Sequence, residues 1–398
     1  MGMRTETRGF RPAVLAAAGA ALAACLLVLI AASGDARADR GSKQLKMNQV
    51  QVIGTHNSYH RELSPEEEAE YDELVRKPGD YQEFLAYSHA SIPNQLGLQD
   101  VRGLELDLFP DPEGGLYAEP LVRQRLGLGP LPDPAWREPG IKVFHISDLD
   151  YETTCVRFVS CLEQVRDWSS ANPGHVPILV MLELKQSDPR VVAQGGVVAP
   201  PWDAEALDGL DKEIRSVFDE AGIITPDDVR RPPLTLEQSV LRHGWPSLEK
   251  SRGEVAFLLD NEGALNNLYA AGRPNLEGRA IFTNSTPGRP DAAFLKRNDP
   301  MGANKSRIQD LVDAGYLVRT RSDLPLSTVT SGDTSMLEAA LESGAHLVST
   351  DFPEVGMSAR YGSDFVARFP DGSTIRCNPI NAPRNCRDER LEPNVRNR

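Results

Sequence analysis

Gly103-Leu104-Glu105-Leu106-Asp107 sets two carboxylates inside an apolar run. Alternate side chains of an extended strand point to opposite faces, so Glu105 and Asp107 share one face and the leucines the other. Carboxylates on a buried strand are costly unless a cation or polar partners neutralise them. Three more runs repeat the theme: Gly54-Thr55-His56-Asn57-Ser58, Val143-Phe144-His145 and Met181-Leu182-Glu183-Leu184-Lys185. Each ends in a His, an Asn or a carboxylate where the apolar residues give out. Four such runs in chain order point to one polar site assembled at the ends of neighbouring strands.

Working outward, eight segments read as strands: 50–54, 101–108, 142–145, 178–184, 255–260, 280–283, 316–321 and 346–350. Most carry Val, Ile or Leu in short continuous runs, as strands buried on both faces do. Helical patterns fall between many of them, at 65–76, 154–172, 204–221, 305–314 and 334–343. The first has Ser64 as its N-cap and Glu67 three residues on, a capping box. Strands alternating with helices mean an α/β fold with a parallel sheet. Eight of them predict a closed (β/α)8 TIM-type barrel, with an open doubly wound sheet as the alternative. Barrel enzymes carry their site at the carboxyl ends of the strands, where these polar residues fall. There is no glycine-rich dinucleotide fingerprint. Residues 110–140, rich in Pro and Gly, read as irregular and leave the strand that bears Glu105 and Asp107. They are expected either to present apolar residues at the mouth or to pack on the barrel as a lid.

Arg4, Arg8 and Arg11 precede an uncharged run at 13–32, and Ala36-Arg37-Ala38 follows as a small-x-small cleavage signal. Residues 1–38 are read as a secretory signal peptide, with a retained membrane anchor as the alternative. Residues 39–362 are then the catalytic barrel and 363–398 a polar C-terminal extension. The full chain carries a net charge of −14; the leader holds four basic and two acidic residues, so cleavage leaves −16. An acidic protein is a poor candidate for nucleic acid or for purely electrostatic docking on anionic lipid. Cys155, Cys161, Cys377 and Cys386 form two local pairs, and export implies an oxidising compartment. Bridges 155–161 and 377–386 are expected, the second stapling the C-terminal tail.

His56 and His145 stand out among the seven histidines, because each closes an apolar run beside polar residues. His60, His89, His175 and His243 lie in polar or loop-like contexts, and His346 opens the last strand. Oxygen donors suit Ca²⁺ or Mg²⁺ better than zinc. Lys185 either pairs with a neighbouring carboxylate or meets substrate phosphate. Arg319 and Arg321 share one strand face, where one could hold a phosphate; a charge pair with Asp323 is the alternative.

Ile53-Gly54-Thr55-His56-Asn57-Ser58-Tyr59, Gly103-Leu104-Glu105-Leu106-Asp107 and Val143-Phe144-His145 resemble the catalytic region of phosphoinositide-specific phospholipase C. They are most similar to the secreted bacterial group that depends on calcium. Tyr316–Asp323 and Ser349-Thr350-Asp351-Phe352-Pro353 extend the resemblance, which runs from about Val50 to Pro353. It implies a distorted barrel, with Asn57, Glu105, Asp107 and Glu183 as Ca²⁺ ligands. His56 would stabilise charge on the phosphorane and His145 would protonate the leaving alcohol. The implied substrate is phosphatidylinositol or a related phosphodiester lipid, met peripherally at a membrane surface; no nucleic acid or protein partner is implied. A glycerophosphodiesterase on the same scaffold, or a decayed barrel serving as a binding protein, are the competing readings. Asn57 directly after His56 argues against the first, because those enzymes resemble His-Arg at this point. The retained histidines and four ligands argue against the second.

Overall fold

The computed structural model describes Met1, Gly2 and residues 45–393. The rest of the expected leader, with its cleavage site and its anchoring alternative, lies outside the described residues. Eleven strands follow in chain order: β1 (Val50–Thr55), β2 (Gly103–Phe109), β3 (Lys142–Val143), β4 (Ile178–Leu184), β5 (Ile223–Ile224), β6 (Val255–Leu259), β7 (Ile281–Thr283), β8 (Phe294–Lys296), β9 (Leu317–Arg321), β10 (Leu347–Thr350) and β11 (Ile375–Cys377). Parallel pairing runs β7-β6-β4-β2-β1-β10-β9-β8. The circuit closes between β7 and β8 at a parallel bridge joining Asn284 and Phe294. There the Asn284 Oδ1 also accepts the Lys296 backbone N–H at 2.9 Å. The fold is therefore an eight-stave α/β barrel with a thin seam, a distorted relative of the TIM type.

One expected stave is replaced by another. The run at 142–145 is not part of the barrel wall: only Lys142–Val143 is extended, and it pairs antiparallel with the end of β2, Leu108 facing Val143. The missing stave is β8, three residues long, entered from β7 by a helix-free connection. The helices fall where the pattern placed them, four with shorter ends and one starting two residues earlier than 305: Pro65–Val75, Phe158–Ala171, Ala204–Val217, Ser335–Ser343 and Ala303–Ala314. The Ser64–Glu67 capping box is present.

β2 and β4 lie between neighbours on both sides and are buried almost throughout, which is why they read as continuous apolar runs. Where β1 meets β2, Gly54 faces Gly103. A Cβ on Gly54 would stand 2.7 Å from the Gly103 Cα, so two glycines let these backbones approach. The 110–140 segment packs as a lid: Tyr117, Leu121, Leu131 and Trp136 are buried in a second apolar cluster with Phe109 and Phe144. Both expected disulfides form, Cys155–Cys161 and Cys377–Cys386. β11 pairs antiparallel with the first half of β1, and the Arg102 guanidinium meets the Glu392 carboxylate in a fully buried two-pronged contact at 2.6 and 2.8 Å. The tail through residue 393 is thus sewn to the amino-terminal end of the barrel. Among the described residues no helix is long and apolar enough to cross a membrane.

Candidate active site

The site opens at the carboxyl ends of β1, β2, β4, β9 and β10. His56 is the first residue past β1, and its backbone N–H is held by the Thr350 carbonyl at 2.9 Å. Asn57 adopts a left-handed backbone, φ 46°, which Asn tolerates better than most residues. Its amide nitrogen donates to Tyr87 Oη at 3.2 Å, leaving the amide oxygen to face elsewhere. Ser58 ties this loop to β2, with its N–H donating to the Glu105 carbonyl and its Oγ accepting from the Glu105 N–H.

On β2 the two carboxylates share a face as expected, and Glu183 on β4 stands in register with Asp107. One oxygen from each of Glu105, Asp107 and Glu183 lies within 4.8 Å of the other two. Burial pushes Glu105 up to about 7; Arg319 opposes the rise, and Asp260 and Glu183 add to it. Burial likewise drives Asp107 well above the carboxylate range, against the pull of Lys185. Neither Asp107 oxygen accepts a hydrogen bond. Lys185 Nζ approaches at 3.0 Å from Asp107 Oδ2 and 3.3 Å from Glu183 Oε2, as an ion-pair contact out of line for hydrogen bonding to Asp107. Three crowded carboxylates, the buried Asp107 with neither oxygen hydrogen-bonded, are a donor set that fits a hard divalent cation such as Ca²⁺.

Two histidines flank these carboxylates, each backed by an aspartate. His56 Nδ1 lies 2.8 Å from Asp351 Oδ1, and its Nε2 stands 3.8 Å from Glu105 Oε1. His145 follows β3, where the Phe144 N–H reaches the Asp107 carbonyl at 3.3 Å. Its Nδ1 lies 2.9 Å from Asp150 Oδ2. A carboxylate only accepts, so both rings carry Nδ1–H and turn Nε2 to the site. Burial lowers the pKa of both; Arg321 and Arg319 add to the effect at His56 and Lys185 adds to it at His145.

Three residues of this arrangement escape a reading of the sequence. Asp150, five residues after His145, and Asp351, just past β10, are the partners of the two histidines. His60, read as carrying no signal, is wholly buried and places Nε2 2.9 Å from Asp150 Oδ2. Its burial opposes a charge, yet the Asp150 carboxylate and the Tyr87 carbonyl raise its pKa. The only available signal was spacing, His60 four residues beyond His56 in one polar segment.

The basic residues divide by their partners. Arg319 is buried and committed to protein: Glu105 Oε2 at 2.7 Å, Ser349 Oγ at 3.0 Å, and Asn298 Oδ1. Arg321 gives one bond, to Asp351 Oδ2 at 3.1 Å, and its Nε has no hydrogen-bond partner.

Residues 45–379 match the family described as phosphoinositide phospholipase C, Ca²⁺-dependent. The chain belongs to the calcium-dependent phosphoinositide phospholipase C family. Its activity is calcium-dependent phospholipase C cleavage of phosphoinositide, and Ca²⁺ is its cofactor. No curated protein matches the chain at the level of sequence. Among solved structures, a calcium-dependent phosphoinositol-specific phospholipase C from Pseudomonas sp, in a myoinositol complex, is similar at TM-score 0.51 and 18% identity; 85% of this chain and 97% of that one are covered. Crystal form 1 of the apo form of that enzyme gives the same TM-score, identity and coverage. A Ca²⁺-dependent phosphatidylinositol-specific phospholipase C from Streptomyces antibioticus aligns at TM-score 0.45 and 17% identity, covering 80% of this phospholipase C and 98% of that chain. At 18% identity the two Pseudomonas structures speak for the shared fold alone.

Proposed function

We propose that this phospholipase C cleaves phosphatidylinositol by attack of the inositol 2-hydroxyl, giving diacylglycerol and a cyclic inositol phosphate. The observation that carries the reading is the convergence of Glu105, Asp107 and Glu183 between two histidines that each rest on an aspartate. Asn57, Glu105, Asp107 and Glu183 would hold the Ca²⁺. Bound there, the ion supplies Lewis acidity, lowering the pKa of a hydroxyl and offsetting charge on phosphate.

The chain's own groups do the rest. Glu105 or Asp107 takes the proton of the 2-hydroxyl, and that oxygen attacks the adjacent phosphorus. His56 offers an Nε2–H to the phosphorane oxygens. His145 gives its Nε2 proton to the diacylglycerol oxygen as the phosphorus–oxygen bond breaks. Both rings are disposed to be neutral in the free enzyme, and the phosphodiester anion favours their charged forms on binding. Water then opens the cyclic phosphate with His145 as base. Of the three candidate cations, Arg321 keeps an unspent donor for a phosphate oxygen, while Lys185 and Arg319 balance the carboxylates.

Docking falls to the loops of the open end. Val198, Met301, Leu324 and Val355 leave the carboxyl ends of β4, β8, β9 and β10 and are exposed. Their insertion into a lipid surface would present the mouth to the head group without net positive charge. The two disulfides support an extracellular site of action, reached by way of the leader. Assay of the purified enzyme on phosphatidylinositol and glycerophosphoinositol, with and without chelator, tests the reading. Calcium-dependent release of diacylglycerol is expected; preference for the deacylated substrate would point to a glycerophosphodiesterase instead.

A further inference from the structure

We infer that His60 is a positioning residue for the reaction: it clamps Asp150 from behind and thereby holds His145 with Nδ1–H on Asp150 and Nε2 toward the substrate. The inference rests on the reading of His145 as the acid that protonates the leaving alcohol.

One carboxylate oxygen serves two imidazoles. Asp150 Oδ2 lies 2.9 Å from His60 Nε2 and 2.9 Å from His145 Nδ1. The other nitrogen of His60, Nδ1, lies 2.8 Å from the Tyr87 carbonyl oxygen. A backbone carbonyl and a carboxylate are both acceptors, so both His60 nitrogens carry hydrogen. The residue has no solvent exposure. A wholly buried imidazole with both N–H groups spent on acceptors is costly to keep and does nothing to the site directly. What it supplies is a second fixed point for Asp150, whose Oδ1 has only a long contact, 3.4 Å, from the Tyr81 hydroxyl.

The backbone shows that this clamp is built in. Residues 146 and 150 exchange hydrogen bonds at 2.9 and 3.0 Å, closing a tight loop that carries Asp150. His60 bridges Thr153 in antiparallel fashion, and the Thr154 N–H reaches the Tyr59 carbonyl at 2.8 Å. The segment around His60 is thus stitched to the segment just after Asp150. The His60 ring also stands edge-on to His145, with centroids 6.0 Å apart and planes at 90°. Tyr87, which takes the Nδ1–H of His60, accepts the Asn57 amide through its hydroxyl. Removing His60 would free Asp150 to rotate and would loosen the ring that must meet the leaving oxygen.

The test compares His60→Asn with His145→Ala on two substrates, phosphatidylinositol and an aryl phosphodiester of inositol. A diacylglycerol oxygen needs protonation to leave; an aryl oxide needs far less. His60→Asn should lose about 10²-fold on phosphatidylinositol, the scale of a misplaced catalytic group, and much less on the aryl ester. His145→Ala should show the same selectivity with a larger loss. If His145→Ala discriminates and His60→Asn loses equally on both substrates, or loses nothing, the positioning role is refuted while the acid assignment stands. If His145→Ala itself fails to discriminate, the acid assignment falls and the inference with it. Should His60→Asn not fold, nitrogen-15 spectra of the unaltered enzyme decide: two protonated nitrogens at His60 and an Nδ1–H tautomer at His145 support the clamp, and a bare nitrogen on His60 overturns it.

Discussion

The Asp351 carboxylate joins two site residues from opposite oxygens: His56 Nδ1 lies 2.8 Å from Oδ1, and Arg321 Nη2 donates to Oδ2 at 3.1 Å. A single side chain at the end of β10 therefore sets the tautomer of one histidine and the place of one guanidinium. Asp351→Ala should reduce kcat on phosphatidylinositol by about 10²–10⁴-fold, as loss of a carboxylate behind a catalytic histidine does. The calcium concentration for half-maximal activity should stay where it is, since Asp351 is not among the proposed ligands. Near-normal turnover would remove this role.

Docking makes a separable prediction. Val355 and Leu324 are 72% and 53% exposed on loops of the open end. Val355→Asp and Leu324→Asp should weaken binding to phosphatidylinositol vesicles, measured by sedimentation, while turnover of soluble cyclic inositol phosphate is retained. Parallel losses on both would assign these residues to the site rather than to the membrane contact.

Close packing between β1 and β2 predicts a stability effect. A methyl on Gly54 would meet the Gly103 backbone at 2.7 Å, where no flexible side chain can yield. Gly54→Ala should cost about 1–3 kcal/mol, the usual range for overpacking, read as a lower midpoint in urea unfolding. An unchanged midpoint would show that the two strands can part.

The buried histidines fix how stability responds to acid. His346 donates from Nε2 to the Asn48 carbonyl at 2.6 Å and accepts the Val318 N–H on Nδ1 at 3.0 Å, an arrangement only the neutral ring can make. Burial lowers its pKa to about 4, and that of His175 to about 4 as well. In the unfolded chain both would titrate near the ordinary value of about 6.5. Above that pH neither state is protonated. As pH falls from about 6.5 toward 4 the unfolded state takes up protons the native state refuses, so stability should fall, by roughly 3 kcal/mol per group over the window. Urea midpoints between pH 7 and 4.5 should show this slope, and His346→Asn should flatten it. A slope of the opposite sign would mean the rings are charged in the fold.

Much of this was legible because burial leaves a strong mark on sequence. β2 and β4 sit between neighbours on both sides, so their apolar runs are unbroken, and carboxylates interrupting such runs announce a site. The β8 stave was missed because three residues are too few for a pattern, and the 142–145 run was mistaken for a stave because an antiparallel flap on β2 buries the same residue types. The carboxylates proposed as ligands and the two histidines stood out because each lies on or just past an apolar run. Asp150, Asp351 and His60 lie in polar segments, where their pairing depends on how loops fold back. The two disulfides followed from the local pairing of four cysteines together with the export signal.

The central claim is that Asn57, Glu105, Asp107 and Glu183 hold the calcium on which lipid cleavage depends. Its most direct test is a calcium titration of phosphatidylinositol turnover by the unaltered enzyme and by Asp107→Asn. Asp107 is the choice because it is fully buried with neither oxygen hydrogen-bonded, so that besides the ion the substitution weakens only the Lys185 ion pair at 3.0 Å. Activity should vanish under chelator and return with calcium, and Asp107→Asn should need at least about 10-fold more calcium or fail to respond. Turnover that survives chelation, or an Asp107→Asn enzyme that saturates at the same calcium concentration, would contradict the account.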